Sequence, residues 1–559
     1  MLKKLLDKLK FREPYIEDTL VVKDADSFHW DQEADLVVAG FGGAGAACAL
    51  EAEEQGLKTL VLDRFAGGGA TTISGGIYYA GGGTRIQQEA GVEDSPENMF
   101  NYLKQEVDGA VSDETLRNFC EQSVDNFNWM EKNGVPFEAS YCPFKTSYPP
   151  NQYYFYYSGN ESFAPYTDHA KPAARGHRAK RPGVSGQAIF EPLRDSAVKK
   201  GLNVQTQSKV VSLITNEANE VIGLKAIQMK NTFIAKMAHK LVSWAHLMLR
   251  YPALYWPPLF NLFGLIAEWL ERSFGSSSYI RARKGVVLST GGFYVNQKMI
   301  REHAPDFVGG SPLGTMADDG SGINMAVKVG AETGLMDSVS AWRFINPPQS
   351  FVKGILVGPR GERICNEMLY GAQLGKQMML HHNGIGYVIL DEKTYKAAYG
   401  DLTLKKGLWF HVLLGLFFMK LGYKKAHSIR GLAAKLGIDA ENTVKTFNAY
   451  NQIAKSDEPD PMGKPKDFMP PLAEYGPYYA INASYHYYFV SCPSLTLGGL
   501  KVNEATGQVK HTDGSDIKGL YAAGRTAMGI SSKGYVSGLS IADCIFSGRR
   551  AARHAASAE

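Results

Sequence analysis

The chain has only six cysteines in 559 residues: Cys48, Cys120, Cys142, Cys365, Cys492 and Cys544. No two of them form a CxxC pair, and no Cys/His group has zinc-site spacing. A disulfide framework and a structural metal are therefore not expected, and the thiols read as free cysteines of a reduced cytosol. Net charge is also scarce. A formal +4, from 60 Lys+Arg against 56 Asp+Glu, is no footprint for nucleic acid. No stretch reaches the ~18 uninterrupted apolar residues of a membrane-spanning helix. The N-terminal Met1-Leu-Lys-Lys-Leu-Leu-Asp-Lys-Leu-Lys10 meets charge too early for a signal peptide, and reads as a solvated arm or a short amphipathic helix. With a 21% charged fraction and 27 Phe, 29 Tyr and 7 Trp, the chain is too apolar to be disordered.

Glycine is abundant, at 59 residues, and 13 of them fall within residues 40–83. Glycine weakens helices and strands unless the backbone needs it, so this clustering marks a backbone with a task. Asp35-Leu-Val-Val-Ala-Gly40 reads as a buried strand, Gly40-Phe-Gly42-Gly43-Ala-Gly45 follows at once, and Ala46 to Gln55 reads as a helix. This is GxGxxG between strand and helix: a tight turn at Gly40, room for a pyrophosphate at Gly42, and close helix–strand packing at Gly45. The helix N-terminus then presents free N–H groups to the phosphates. A second strand, Leu57 to Leu62, ends in Asp63, close to the spacing at which an acid holds a ribose hydroxyl.

The nucleotide is NAD or FAD by these features alone. The next segment, Gly67-Gly-Gly-Ala-Thr71-Thr72-Ile-Ser74-Gly75-Gly76, resembles the second flavin contact region of the fumarate reductase/3-ketosteroid dehydrogenase flavoprotein superfamily. Further matches are Gly285-Val-Val-Leu-Ser-Thr290-Gly291-Gly292, Asp318-Asp319-Gly-Ser-Gly322 before a helix through Ala331, Leu497 to Asn503, and Gly519-Leu-Tyr-Ala-Ala-Gly524-Arg525. The resemblance runs from about Trp30 onward.

It implies an α/β fold: a discontinuous Rossmann-like FAD-binding domain (residues 31–340 and 490–559) with an inserted α+β substrate cap (341–489), after an N-terminal arm (1–30). It implies non-covalent FAD, because no His lies in Ser74-Gly75-Gly76 to form a flavin linkage. It carries FAD contacts onto Gly40, Gly42, Gly43, Ala44 and Gly45, and onto Asp63, Arg64, Gly68 and Ala70. Thr71, Thr72, Ser74, Gly75 and Gly76 follow, with Val210. Later in the chain come Thr290, Gly291, Gly292 and Asp319, then Gly524 and Arg525. A last helix, from about Gly538 to Arg549, is implied to aim its N-terminus at the flavin through Gly538, Leu539 and Ser540.

Within the superfamily, dicarboxylate enzymes need Arg and His against their substrate. The matching segment here, Gly529 to Ser540, has neither and offers Tyr535-Val-Ser537-Gly538 instead. The cap offers Arg363-Ile-Cys-Asn366-Glu367-Met-Leu-Tyr370. Both resemble 3-ketosteroid dehydrogenases. Δ1 enzymes typically continue the second tyrosine with Pro-Gly-x-Gly, whereas Tyr-x-Ser-Gly looks more like the Δ4 enzymes. The expectation is a Δ4-dehydrogenase, with Δ1-dehydrogenation, Δ4-reduction and a non-catalytic lipid-binding role as alternatives. Such chemistry needs a polarised C3 carbonyl, a base for the C4 proton and a hydride acceptor for C5. Tyr535, supported by Ser537, is assigned to the carbonyl and Tyr370 to the proton, with the tyrosine roles interchangeable. A tyrosinate base requires its pKa to be lowered from about 10.

Two apolar stretches, 232–278 and 402–428, fit no part of the family core. They hold Trp244, Trp256, Trp269 and Trp409, four of the seven tryptophans. Residues 232–284 carry seven basic residues against two acids, and 401–430 six against one. Ile234, Met237, Leu241, Trp244, Ala245 and Met248 recur at helical spacing, with Lys236, Lys240 and Ser243 on another face, while Pro252, Pro257 and Pro258 break the run. This pattern predicts a monotopic anchor on the inner face of the cytoplasmic membrane, against membrane surface lipids, with a quinone as electron acceptor. The alternative is a pair of core helices or an oligomer interface. The aromatic run 148–166 is expected to line a sterol pocket or to pack beneath a loop, and Arg175–Arg181 to be a solvated stretch.

Overall fold

A computed structural model describes residues 7, 9–229, 232–487, 489 and 491–558. The amphipathic reading of Met1–Lys10 therefore lies mostly outside the described residues. In β1 (Gln32–Ala39) every residue from Leu36 to Ala39 is buried, as in a strand covered on both faces. The chain turns through the glycine loop into α1 (Gly43–Glu54) and returns as β2 (Thr59–Leu62), parallel to β1. β3 (Asn203–Gln205) extends this parallel edge. β4 (Ser208–Thr215) and β5 (Val221–Gln228) form an antiparallel pair. Here the chain departs as three helices, α2 (Phe233–Met248), α3 (Arg250–Tyr255) and α4 (Pro258–Phe274). It re-enters the sheet as β6 (Ser276–Leu288), with Ser276 opposite Gln228. The first insertion is thus a three-helix excursion from the end of a β-pair, broken next to the prolines as the sequence predicts.

A separate antiparallel sheet is built from β7 (Ile355–Val357), β8 (Tyr387–Asp391), β9 (Tyr423–Ala426) and β10 (Tyr478–Asn482), in the order β7-β8-β10-β9. Its period-two pattern feeds two cores: Leu356, Val388 and Leu390 on one face, Ile355, Val357 and Ile389 on the other. The second apolar stretch supplies α5 (Trp409–Lys420), just before β9. The chain then rejoins the large sheet through β11 (Asp516–Ala522), parallel to the end of β6, and finishes in α6 (Leu539–Ser557). All six cysteines are free, and all but Cys544 are buried.

Several sequence expectations are corrected. α1 begins at Gly43, not Ala46, because the glycines themselves form its first turn. The final helix runs on to Ser557, and the helix after Asp319 spans only Ser321–Val327. The largest correction concerns Arg175 and Arg178, which are fully buried. Arg175 grips Asp94 with Nε to Oδ2 and Nη2 to Oδ1, both at 2.8 Å. Arg178 donates to the carbonyls of Pro149, Pro150 and Gly183 and to Ser185 Oγ. One guanidinium fork thereby organises the aromatic loop, satisfying carbonyls that no strand pairs.

Replacing Arg175 with Ala leaves the Asp94 carboxylate buried without its partner. A loss of about 3–5 kcal/mol in urea unfolding is expected, whereas Arg181→Ala, at a half-exposed pair with Glu191, should cost under about 0.5 kcal/mol.

Candidate active site

The glycine loop is built by steric exclusion. Gly40 sits at φ +104°, and a Cβ there would lie 2.5 Å from the Ser289 carbonyl oxygen. A Cβ on Gly45 would lie 1.9 Å from Gly40 O. Gly42 is different, since the nearest atom to its missing Cβ is Gly68 O at 3.8 Å. That glycine is not required by the protein's own packing; it leaves room for a ligand. Asp63 braces the same loop, accepting from Phe41 N at 2.9 Å, Phe65 N at 2.8 Å and Gly67 N at 3.1 Å.

A second helix start faces the same space. Gly538, at φ +93°, caps α6 without a side chain, and a Cβ there would come 2.8 Å from Tyr79 N. α6 lies close against α1 because Gly548 has no Cβ to meet Ala44 O. Two helix N-termini, each carrying partial positive charge, are thus aimed at one cavity of about 820 Å³.

The cavity wall includes Gly40, Gly42, Gly43, Ala44, Asp63 and Arg64, and then Ala70, Thr71, Thr72, Ser74, Gly75 and Gly76. Val210, Thr290, Gly291, Asp319, Gly524, Arg525, Gly538 and Ser540 also line it, as do Tyr370, Tyr535 and Ser537. Four of the residues carried over by resemblance are not in the wall. Gly45 and Gly68 support the loops from behind: Gly68 N donates to Phe41 O at 2.7 Å, and its missing Cβ makes room for Thr72. Gly292 packs on Thr496 and donates to Asp318 Oδ1. Leu539 is buried in the core, its N–H bonded to Val536 O. Thr72 Oγ1, Arg525 Nη1 and His246 Nδ1 are buried without protein partners, and all three residues belong to the wall. Orphaned donors beside two helix N-termini and an open glycine suit the phosphates and polar rings of FAD.

One end of this cradle is held by buried charge. Arg64 pairs with Glu271 of α4 (Nε to Oε1, 2.7 Å) and with Asp319 (3.2 Å), and Lys209 lies 3.7 Å from Glu271. His239 of α2 touches Glu271 at 3.0 Å and stacks on Phe65. Burial alone would raise the Glu271 carboxyl, but Arg64, His239 and Lys209 hold it far below the usual range. The first insertion is therefore bound to the nucleotide site. Sequence spacing could not reveal this, since Arg64 and Glu271 are 207 residues apart.

The other end is aromatic. Tyr370 and Tyr535 have ring centroids 6.5 Å apart. Trp342 packs on Tyr535 at 5.3 Å and Phe344 on Tyr370 at 5.6 Å. Sequence reading missed these two, though their i, i+2 spacing at the start of the cap places them on one side of an extended segment. The Asn-Glu preceding Tyr370 is a staple. Glu367 accepts from Arg363, Lys464 and Leu356 N, and Asn366 donates to Gly463 O. Tyr370 N then donates to Asn160 Oδ1 at 2.7 Å. Ser537 favours the ionised form of Tyr370, and Tyr156 OH points toward Ser537 Oγ at 3.5 Å.

The required lowering of a tyrosine pKa is not found. Burial, then Tyr535 and Tyr156, push Tyr370 well above its ordinary value, with only Ser537 opposing. Burial likewise raises Tyr535 against the pull of Arg525. Both hydroxyls are held neutral, as donors. Behind them, burial raises Glu106 to about 7, although Tyr102 OH and Asn160 Nδ2 each bond its Oε1 at 2.6 Å.

The family model described as "FAD binding domain" matches residues 35–539. The chain is 36% identical over 520 residues to a 3-oxo-5-alpha-steroid 4-dehydrogenase of Comamonas testosteroni, covering 91% of this chain and 96% of that one. It is 25% identical to a 3-oxosteroid 1-dehydrogenase of Mycolicibacterium smegmatis, covering 89% and 92%. Among solved structures it superposes on a 3-ketosteroid-Δ4-(5α)-dehydrogenase from Rhodococcus jostii RHA1, in complex with 4-androstene-3,17-dione. That match has a TM-score of 0.80, 31% identity, and 96% and 100% coverage.

Glu106 gives a pH signature. Its folded-state pKa lies above the ordinary 4.5, so its contribution to stability is complete below that value and is lost as pH rises through about 7. The melting temperature should fall between about pH 4.5 and about pH 7 and level off above it. Glu106→Gln keeps an acceptor at the position of Oε1 for both bonds, and should flatten that fall.

Proposed function

The chain belongs to the FAD-binding family of 3-ketosteroid dehydrogenases, and on that premise we propose that it introduces the 4,5 double bond into saturated 5α-3-ketosteroids. The observation that carries this reading is the Tyr370–Tyr535–Ser537 wall in one cavity with the FAD cradle. The 4-dehydrogenase relative is matched at 36% identity and the 1-dehydrogenase relative at 25%, which favours Δ4 over Δ1 chemistry.

Two hydrogens leave the substrate, one from C4 as a proton and one from C5 as a hydride, and the C4=C5 bond forms. Bound FAD supplies the hydride acceptor. Tyr535, a neutral donor braced by Trp342, hydrogen-bonds the C3 carbonyl oxygen, where negative charge develops as the C4 proton departs. Neither tyrosine is held as an anion at rest, so Tyr370 gives up its hydroxyl proton to solvent before the substrate closes the site. The tyrosinate then takes the C4 proton at Oη and is neutral again, and Ser537 favours that anion against burial. The aromatic walls exclude water from this transfer. The exposed apolar helices and their lysines support work at the inner face of the cytoplasmic membrane, where a lipid-soluble quinone takes the electrons.

Anaerobic addition of 5α-androstane-3,17-dione should bleach the flavin and yield the 4-ene; a 1-ene product would overturn the regiochemistry. Tyr535→Phe and Tyr370→Phe should each lower kcat by about 100-fold or more with FAD retained. Near-normal turnover in both would remove the tyrosines from the mechanism.

A further inference from the structure

α2 is turned inside out for a helix on a water-soluble protein. Its inward side carries Ala235, His239 and His246, all buried. Its outward stripe is Ile234 (78% exposed), Met237, Leu241, Trp244 (58%) and Met248. Trp256 and Trp269 of the same insertion are exposed as well. α5, from the other insertion, exposes Trp409, Leu413 and Phe417, and Leu421 follows at the same four-residue interval. The two insertions meet where Tyr251 of α3 packs edge-on against Trp409 at 5.9 Å. No helix among the described residues is long and apolar enough to cross a membrane.

The charge on this face has one sign. Both acids of the insertions, and Asp401 just before the second, are turned into the body. Glu268 pairs with Arg12, Glu271 sits in the Arg64 cluster, and Asp401 is buried, accepting from Ser350. Lys240, Lys405, Lys420, Lys424 and Lys425 remain exposed around the apolar stripes. The face is also continuous with the active-site cavity, whose wall includes Leu247, Tyr251, Leu254, Trp409, Leu413 and Phe417.

We propose that these helices seat the cavity mouth in an anionic lipid leaflet, so that a 3-ketosteroid passes from the bilayer between α3 and α5 to the tyrosine wall without crossing water. This rests on the steroid reading above. The lysines fit lipid phosphates, the apolar stripes fit the acyl boundary, and the Tyr251–Trp409 pair stands where the two insertions close over the cavity. A substrate entering A-ring first leaves its C17 side chain toward the lipid, so the mouth suits steroids that retain a long apolar side chain.

The test uses the full-length holoenzyme. Flotation with phosphatidylglycerol/phosphatidylcholine vesicles should be strong, and should weaken with phosphatidylcholine alone and with salt. Ile234→Glu with Leu241→Glu, outside the cavity wall, should reduce flotation by about tenfold or more. The same variant should raise KM to a similar extent for 5α-cholestan-3-one supplied in vesicles, with kcat and KM unchanged for steroid supplied from cyclodextrin. Lys240→Gln with Lys424→Gln, which leaves the apolar stripe intact, should shift flotation in the same direction. Failure of the native enzyme to float, or an unchanged vesicle KM in a variant that no longer floats, would overturn the proposal. A detergent-free dimer dissolved by these same substitutions would do so too, making the face an interface between copies. Inactivity of the native enzyme on cyclodextrin-held steroid would instead sink the dehydrogenase reading, with flotation still deciding the lipid seat.

Discussion

Two helices can begin at one cavity only if their backbones come closer than side chains permit. Gly45 lets α1 lie against the Gly40 carbonyl, and Gly548 lets α6 lie against Ala44. Because both approaches end on a carbonyl oxygen, neither can be relieved by a side-chain rotation. The result is a pair of N-termini, neither closed by an N-cap side chain, converging on the same volume. The strand order, the return of the chain through β11 and the bracing of the loop by Asp63 all serve to hold that pair in place.

The charge cluster around Glu271 is the second organising element. It joins α4 of the first insertion to Arg64, the residue after the loop-bracing Asp63, and to Lys209 on β4. Buried ion pairs are not by themselves a source of stability, since desolvation offsets most of the attraction. Their effect here is registration. A carboxylate that must satisfy Arg64, Lys209 and His239 together has one acceptable position, which sets how the three helices sit over the cofactor cradle.

The strand–loop–helix unit was legible in the sequence because its requirements are local: consecutive apolar residues, glycines at fixed offsets and an acid at the end of the next strand. The tyrosine pair was legible only through resemblance to a family. Nothing local distinguishes Tyr370 from the other tyrosines, and the staple that positions it depends on Lys464 and Asp460, about a hundred residues on. Arg175 and Arg178 were misread for the same reason. A run of basic residues looks solvated until a carboxylate from residue 94 and carbonyls from 149 to 183 close around it. The raised pKa values of the tyrosines were not legible, because burial, a property of the assembled fold, outweighs every nearby charge.

Periodicity showed that α2 has an apolar stripe but not which way the stripe points. The sidedness came from His239 and His246, which claim the inward face through a carboxylate and a backbone N–H. The helix therefore carries two messages on a single cylinder, one addressed to the cofactor and one to the surroundings, written on different residues. Polar substitutions along the outward stripe would rewrite only the second message. The reader of the first, an electrostatic lock some 30 positions away on α4, would register no change.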